Sequence, residues 1–182
     1  MLRTEALAKG FTLHLQQGLR IPVLSGIGLV VHAGECVALS GPSGAGKSTL
    51  MRCLYGNYRA GAGRILVRHD GAMVDIATAT PRQMLQIRDR TLGYVSQFLR
   101  VVPRIAAIDL VAERATGPNA RQKAETMLTS LNIPPRLQSL PPATFSGGEQ
   151  QRVNLATASS AATQYCFWTN LPRRSMSPTA AW

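Results

Sequence analysis

Acidic residues and long apolar runs are scarce in this sequence. Only 9 of its 182 residues are Asp or Glu, against 20 Lys and Arg, and Glu149 is the last acid in the chain. No apolar run reaches the roughly eighteen residues of a membrane span, and the N-terminus lacks the apolar core of a signal peptide. We therefore expect a cytoplasmic chain that does not insert into a membrane.

Cysteine is also scarce. Cys36, Cys53 and Cys166 are widely spaced, form no CxxC or Cys/His cluster, and are odd in number. This pattern fits reduced thiols rather than a disulfide framework or a zinc site. It therefore indicates no metal centre.

The formal net charge is +11, which raises nucleic acid as a partner. The basic residues are scattered along the chain, however, without a basic run or interleaved aromatic residues. Because net charge alone says little about function, we interpret the imbalance as the loss of an acid-bearing part and expect no nucleic-acid partner.

The hydrophobic fraction of 45% and the length fit one globular α/β domain. Alternating apolar residues and turn signals predict strands at residues 11–15, 27–32, 36–40, 64–67, 73–76 and 92–95. Apolar faces at helical spacing and capping residues predict helices at 47–55, from 81 onward, at 108–114, at 120–131 and at 146–158. No helical or strand periodicity is recognisable from residue 157 onward.

The strongest motif is a phosphate-binding loop (P-loop) that follows the predicted strand 36–40 and opens the first predicted helix. Its pattern is G-x-x-x-x-G-K-[ST], which predicts backbone N–H groups and a helix N-terminus aimed at phosphate oxygens. Lys47 is expected at the β- and γ-phosphates of ATP, and the Ser48 hydroxyl on Mg²⁺, with Thr49 nearby. The residues assigned to nucleotide binding are Gly41, Pro42, Ser43, Gly44, Ala45, Gly46, Lys47, Ser48 and Thr49.

A second motif opens the last predicted helix and consists of Ser146, Gly147, Gly148, Glu149 and Gln150. By itself this segment is also what a helix cap with a capping-box glutamate looks like. Together with the upstream P-loop it resembles the ATP-binding-cassette (ABC) ATPases, whose signature motif caps a helix aimed at the γ-phosphate held by a partner domain. The resemblance implies a P-loop NTPase fold of the ABC type, ATP and Mg²⁺ as ligands, and an ABC dimer.

The same resemblance gives roles to two further residues. Gln97 matches the glutamine that approaches Mg²⁺ and the attacking water, and Phe11 matches the aromatic residue that stacks on adenine. A strand residue packed in the core is an equally good interpretation of Phe11.

A narrower resemblance covers residues 11–156. The segments 95–105 and 144–154 look like the L-type ATP-binding proteins of bacterial carbon–phosphorus lyase systems, which degrade phosphonates. This implies lyase subunits as partners. Residues 86–93 also resemble exporter and lipoprotein-release ATPases, so a transporter subunit is the alternative, and a basic binding protein with a vestigial P-loop is a third reading.

The carboxylates that the ABC family uses for hydrolysis are not found. The family requires an apolar strand ending in Asp-Glu after the signature helix, then Leu-Asp and a switch histidine, and no Asp or Glu follows Glu149. Because no neutral residue replaces the magnesium-ordering aspartate or the water-polarising glutamate well, no catalytic residue is intact and the chain is expected not to hydrolyse ATP.

The tail itself suggests a cause. Codons for the segment from Tyr165 to Thr169, each started one base earlier, permit Leu-Leu-Leu-Asp, and the same frame then permits Glu-Pro-Thr and Leu-Asp-Val. We therefore divide the chain into a partial ABC domain, residues 1–156, and a frameshifted tail, residues 157–182.

A P-loop strand without its neighbour in the sheet predicts poor stability, aggregation and at best weak nucleotide binding.

Overall fold

The computed structural model describes residues 1–13, 15, 18–95, 104–115, 117–160 and 163–168. They belong to two compact units, Met1–Arg88 and Asp89–Leu171. Gln97, most of the segment 95–105 and the tail beyond Trp168 lie outside the described residues.

The first unit is built on a four-stranded antiparallel sheet with the order β2-β1-β3-β4. Its strands are β1 (Leu2–Leu13), β2 (Leu19–Val31), β3 (Ala62–His69) and β4 (Ala72–Asp75). The predicted hairpin at Asp70-Gly71 is confirmed, and both residues have positive φ. Strands β1 and β2 are much longer than predicted, because they form one continuous ladder with register shifts where the alternation of side chains breaks.

Two helices accompany this sheet, α1 (Lys47–Leu54) and α2 (Pro81–Arg90). Helix α1 buries Leu50, Cys53 and Leu54, which confirms a helix with one apolar face directly after the P-loop. Helix α2 begins as predicted, with the Gln83 amide N–H donating to Thr80 Oγ1 at 3.3 Å and the Thr80 amide N–H donating to Gln83 Oε1 at 2.9 Å.

The strand predicted at residues 36–40 is not formed, and that prediction was wrong. Residues 35–40 belong to neither sheet, they are exposed except for half-buried Leu39, and Val37 keeps 45% of its surface exposed. A strand is stable only when a neighbouring strand pairs with its N–H and C=O groups. Within the described ranges, no segment pairs with residues 36–40.

The second unit is mostly helical. It contains β5 (Leu92–Val95), α3 (Ala107–Arg114), α4 (Ala120–Ser130), the short α5 (Pro135–Gln138), a 3-10 turn at Pro142–Thr144, α6 (Gly147–Ser160) and β6 (Tyr165–Trp168). Helices α3, α4 and α6 enclose a core that includes Val111, Leu128, Ile133, Phe145 and Val153. These helices lie within a residue or two of their predicted bounds.

Strand β6 was not predicted. It pairs in parallel with β5, and Leu92 faces Tyr165 at one end of the ladder while Val95 faces Trp168 at the other. Phe167 is buried, as are Leu92 and Val95. The absence of recognisable periodicity from residue 157 was therefore misleading, since the four residues of β6 are all apolar and do not alternate with polar ones, although Cys166 is exposed.

Candidate functional site

The side chain of Lys47 bonds back to the backbone of its own P-loop. The Lys47 ammonium donates hydrogen bonds to the backbone oxygens of Gly41 and Pro42, both at 2.7 Å. These two bonds satisfy two of the three donors of the ammonium group with backbone oxygens of the loop. The loop is exposed from Gly41 to Ala45, so an incoming anion reaches it from solvent.

Gly46 fixes where the loop ends and α1 begins. It precedes the helix with φ of 83°, and a Cβ there would lie 3.0 Å from Leu24 Cδ2 and 3.1 Å from the Val23 carbonyl oxygen. Only glycine fits this position, because both the backbone angle and the approach of β2 exclude a side chain. The N-terminus of α1 is thereby held against β2, with no acidic residue in its first turn.

Two hydroxyl residues follow Lys47 in the first turn of α1. Ser48 is exposed in the first turn of α1, and Thr49 is half-buried beside it. Among the described residues no group of three or more His, Cys, Asp or Glu side chains could hold a metal ion.

Phe11 lies in the first unit with the P-loop, on β1 opposite Ile21 of β2. Its half-buried ring meets the Tyr58 ring edge-to-face, with the ring centroids 5.3 Å apart. Phe11 is therefore not a fully buried core residue, because its ring is half-buried and packs against another half-buried ring.

Two cations complete a group that we call the aromatic-cation cluster, formed by Lys9, Phe11, Arg52 and Tyr58. Lys9 Nζ lies 5.2 Å from the Phe11 centroid and 5.9 Å from the Tyr58 centroid. Arg52 donates a hydrogen bond to the Tyr58 hydroxyl at 2.6 Å and lies 5.3 Å from its ring. The sequence alone indicated only Phe11, because folding is what brings Lys9, Arg52 and Tyr58 close to it. The one local signal for Tyr58 was its position as an aromatic residue in a glycine-rich loop.

The signature segment in the second unit is a complete capping box. The Ser146 amide N–H and hydroxyl donate to Glu149 Oε2 at 2.8 and 2.7 Å, and the Glu149 amide N–H donates back to Ser146 Oγ at 3.4 Å. The hydrogen bond from the Ser146 hydroxyl is the main reason that the pKa of Glu149 lies below its usual value. Gln150 donates to the Phe145 carbonyl oxygen at 3.1 Å, and Gly147 and Gly148 form the exposed first turn of α6.

Of the predicted site residues, Gly41 to Thr49 and Phe11 thus lie in the first unit and Ser146 to Gln150 in the second, while Gln97 lies outside the described residues. No helix in the described part of the chain is both long and apolar enough to cross a bilayer.

Comparison with known proteins gives consistent matches. The family model for ABC transporters matches residues 24–168. The lipoprotein-releasing system ATP-binding protein LolD of Legionella pneumophila is 37% identical over 144 residues, covering 76% of this chain and 61% of LolD. The macrolide export ATP-binding/permease protein MacB of Syntrophobacter fumaroxidans is 37% identical over 145 residues, covering 76% of this chain and 20% of MacB.

The fold comparison agrees with these matches. The ATP-binding cassette MJ0796, solved as a dimer in a post-hydrolysis state bound to ADP and Pi, superimposes with a TM-score of 0.78 at 23% identity, covering 92% of this chain and 73% of that one. The fold is thus the α/β P-loop NTPase fold of ABC cassettes. The chain spans about three fifths of the length of LolD. This chain belongs to the ABC transporter family, as an ATP-binding domain.

Proposed function

We propose that this chain is the nucleotide-binding part of an ATPase subunit that serves an export or lipoprotein-release system. The family binds ATP with Mg²⁺. The observation that carries the proposal is the P-loop, in which the Lys47 side chain, on the first residue of α1, bonds to two backbone oxygens of the loop. Its relatives LolD and MacB support the type of system.

Different groups of the P-loop are proposed to contact the phosphates and the magnesium ion. The Lys47 ammonium would exchange the Gly41 and Pro42 oxygens for phosphate oxygens, while backbone N–H groups of the loop and the first turn of α1 receive the remaining charge. Ser48 offers a hydroxyl oxygen to the magnesium ion, and the sequence prediction adds Gln97. A permease partner and a dimer of this domain are part of the proposal, because MacB is an ATP-binding/permease protein and the MJ0796 cassette was solved as a dimer.

Hydrolysis is not part of the proposed function of this chain. No Asp or Glu follows Glu149, so the sequence supplies no carboxylate after the signature helix to order magnesium or to polarise water. Binding without turnover is what the remaining residues support.

The carbon–phosphorus lyase interpretation is less well supported. LolD and MacB are a lipoprotein-release and an export protein, so these relatives favour the transporter alternative. Part of the sequence resemblance to the lyase proteins comes from residues 96–103, which lie outside the described residues. Phosphonate degradation therefore stays a prediction of the sequence.

The chain from residue 157 onward is proposed to be read out of frame. Three shifted codons permit leucine and overlap residues 166–168, which lie within β6, and the next shifted codon permits aspartate. Sequencing the gene across codons 156 and 157 tests this. A missing base there is expected, whereas a DNA sequence whose shifted frame does not encode Leu-Leu-Leu-Asp-Glu would contradict it.

Nucleotide binding is tested by titrating ATP and Mg²⁺ into the full chain and into two lysine variants. Because charged hydrogen bonds contribute about 1.5–3 kcal/mol, Lys47→Ala is expected to weaken ATP binding by roughly ten- to a hundredfold. Lys123→Ala removes an equal charge from an exposed position on α4 and is the matched control. Equal affinity in the wild type and Lys47→Ala would contradict the proposed site.

A further inference from the structure

Residues 36–40 form an uncharged, mostly apolar segment without a neighbouring strand. They belong to neither sheet of the described part of the chain, and Val37 keeps 45% of its surface exposed. Their sequence is Cys-Val-Ala-Leu-Ser, which contains no proline, no glycine and no charge. A segment of this composition can extend and offer its N–H and C=O groups to another strand.

The edge of the neighbouring sheet at β2 is, by contrast, protected. Strand β2 lies at one edge of the four-stranded sheet and pairs with β1 through a ladder with several register shifts. It also carries Pro22, which lacks an N–H donor, and Gly26 at a φ of 65°. Proline and irregular backbone are features that prevent a sheet edge from pairing with another chain. Residues 36–40 have neither feature.

The segment is complementary to a second copy of itself. In an antiparallel pair centred on Ala38, Val37 of each copy lies opposite Leu39 of the other. Cys36 then lies opposite Ser40. This register pairs all five residues, and it places the larger apolar side chains on one face of the ladder and the small ones on the other. Any other register pairs fewer of the five.

Charge favours the same partner. In this register Glu35 of one copy lies opposite Gly41 of the other, and the Gly41 carbonyl oxygen accepts a hydrogen bond from the Lys47 ammonium at 2.7 Å. Glu35 is exposed, and the bonds of Lys47 to Gly41 and Pro42 use two of its three donors. The pair therefore brings an acid of each copy towards a cation of the other, and no like charges face each other between residues 35 and 41.

We propose that residues 36–40 are an interaction surface whose partner is the same segment of a second copy of this chain, paired antiparallel about Ala38. The contact needs neither nucleotide nor the signature motif, so it differs from an ABC dimer, in which the signature helix is aimed at the γ-phosphate. It is also independent of the proposed nucleotide site. Because each copy contributes the same residues, the smallest assembly is a two-fold symmetric dimer.

Sedimentation velocity of the full chain over a dilution series, without nucleotide, measures this association. Ala38→Asp places two carboxylates directly opposite each other at the two-fold axis, where like charges are unfavourable, so it is expected to associate roughly tenfold more weakly. Ala143→Asp adds the same charge at an exposed alanine of the second unit and is the matched control, expected to associate as the wild type does. A wild-type chain that stays monomeric at every concentration would overturn the inference, and so would equal association of Ala38→Asp.

The charge contact is tested in the same series. Glu35→Gln is expected to weaken the dimer by about threefold, because an exposed ion pair contributes little, and added salt should weaken the wild type more than this variant. Glu125→Gln, at an exposed position on α4, is the matched control. Equal association of Glu35→Gln and the wild type would overturn the proposed register.

A cysteine at the two-fold axis tests the register without adding charge. In a Cys36→Ser background, Ala38→Cys brings two Cβ atoms to about 5 Å, close enough for a disulfide between copies. The native Cys36 is also exposed, but its copy lies about 14 Å away in this register, at about 3.4 Å per residue. Under mild oxidation the double variant is expected to run as a dimer on a non-reducing gel and the wild type as a monomer, with Cys166 present in both. A monomeric double variant, or equal cross-linking of the wild type, would overturn the proposed pairing.

Discussion

The two motif-bearing segments of this chain differ in what supports them. The capping box at Ser146 and Glu149 is followed by a helix whose buried residues Val153 and Ala156 pack into the core of its own unit. The P-loop is preceded by residues 35–40, which pair with no described strand and leave Val37 45% exposed. The difference teaches that a local motif forms from local rules, whereas the element that backs it needs partners from elsewhere in the chain.

The P-loop keeps its shape through contacts on its other side. Lys47 bonds to the loop's own oxygens, and Gly46 packs on β2. Because residues 35–40 form no strand behind the loop, these contacts are what stabilises it. Changes to them are therefore expected to lower the free energy of unfolding more than changes to the signature segment, which packs on its own core.

Gly46→Ala provides the largest expected effect on stability. The new Cβ would meet the Val23 carbonyl oxygen at 3.1 Å and Leu24 Cδ2 at 3.0 Å at a φ of 83°, so we expect a loss of about 1–3 kcal/mol in unfolding free energy. Chemical denaturation of the purified variants measures it. Gly28→Ala on β2 is the control, because nothing lies within 4 Å of its Cβ position; equal destabilisation by both changes would break the contrast.

Ser146→Ala is expected to have a smaller effect. It removes the cap of α6, which costs about 1 kcal/mol in typical helices, while the core behind the helix remains. Ser139→Ala, at an exposed position after α5, is the control. A loss for Ser146→Ala larger than that for Gly46→Ala would reverse the proposed order of support, and the same denaturation series reveals it.

The acid dependence of the cap is the smallest expected effect. The pKa of Glu149 is lowered in the folded chain, mainly by the Ser146 hydroxyl, so its stabilising contribution is present above the ordinary glutamate pKa and disappears as the pH falls through the lowered value. Helicity followed during acid titration is expected to show a weak component in this range. Glu149→Gln should remove that component, and an unchanged titration would contradict the assignment.

Much of this fold could be predicted from the sequence because local signals decide it. The Gly-Lys-Ser step, the Thr80-Pro81 cap and the Asp70-Gly71 turn each fix a backbone conformation through neighbouring residues alone, and all three are confirmed. The signature cap belongs to the same class, since its four groups lie within one turn of helix.

The failures have a common physical cause, namely pairing between distant segments. Residues 36–40 have the composition of a strand, but a ladder also needs a neighbour. Strand β6 has no strand-like alternation, yet its backbone pairs with β5 because parallel pairing uses main-chain groups that any side chain leaves available. The aromatic-cation cluster likewise needed the β1–β2 ladder and α1 before Tyr58 could meet Phe11.

The central proposal is that Lys47 holds the phosphates of ATP and that these 182 residues, which include no Asp or Glu after Glu149, bind ATP without turning it over. The most direct test is ATP turnover by the purified full chain with Mg²⁺, measured beside Lys47→Ala in the same assay. The account predicts ATP binding that depends on Lys47 and turnover no higher than that of the variant. Turnover in the wild-type chain that Lys47→Ala abolishes would contradict it.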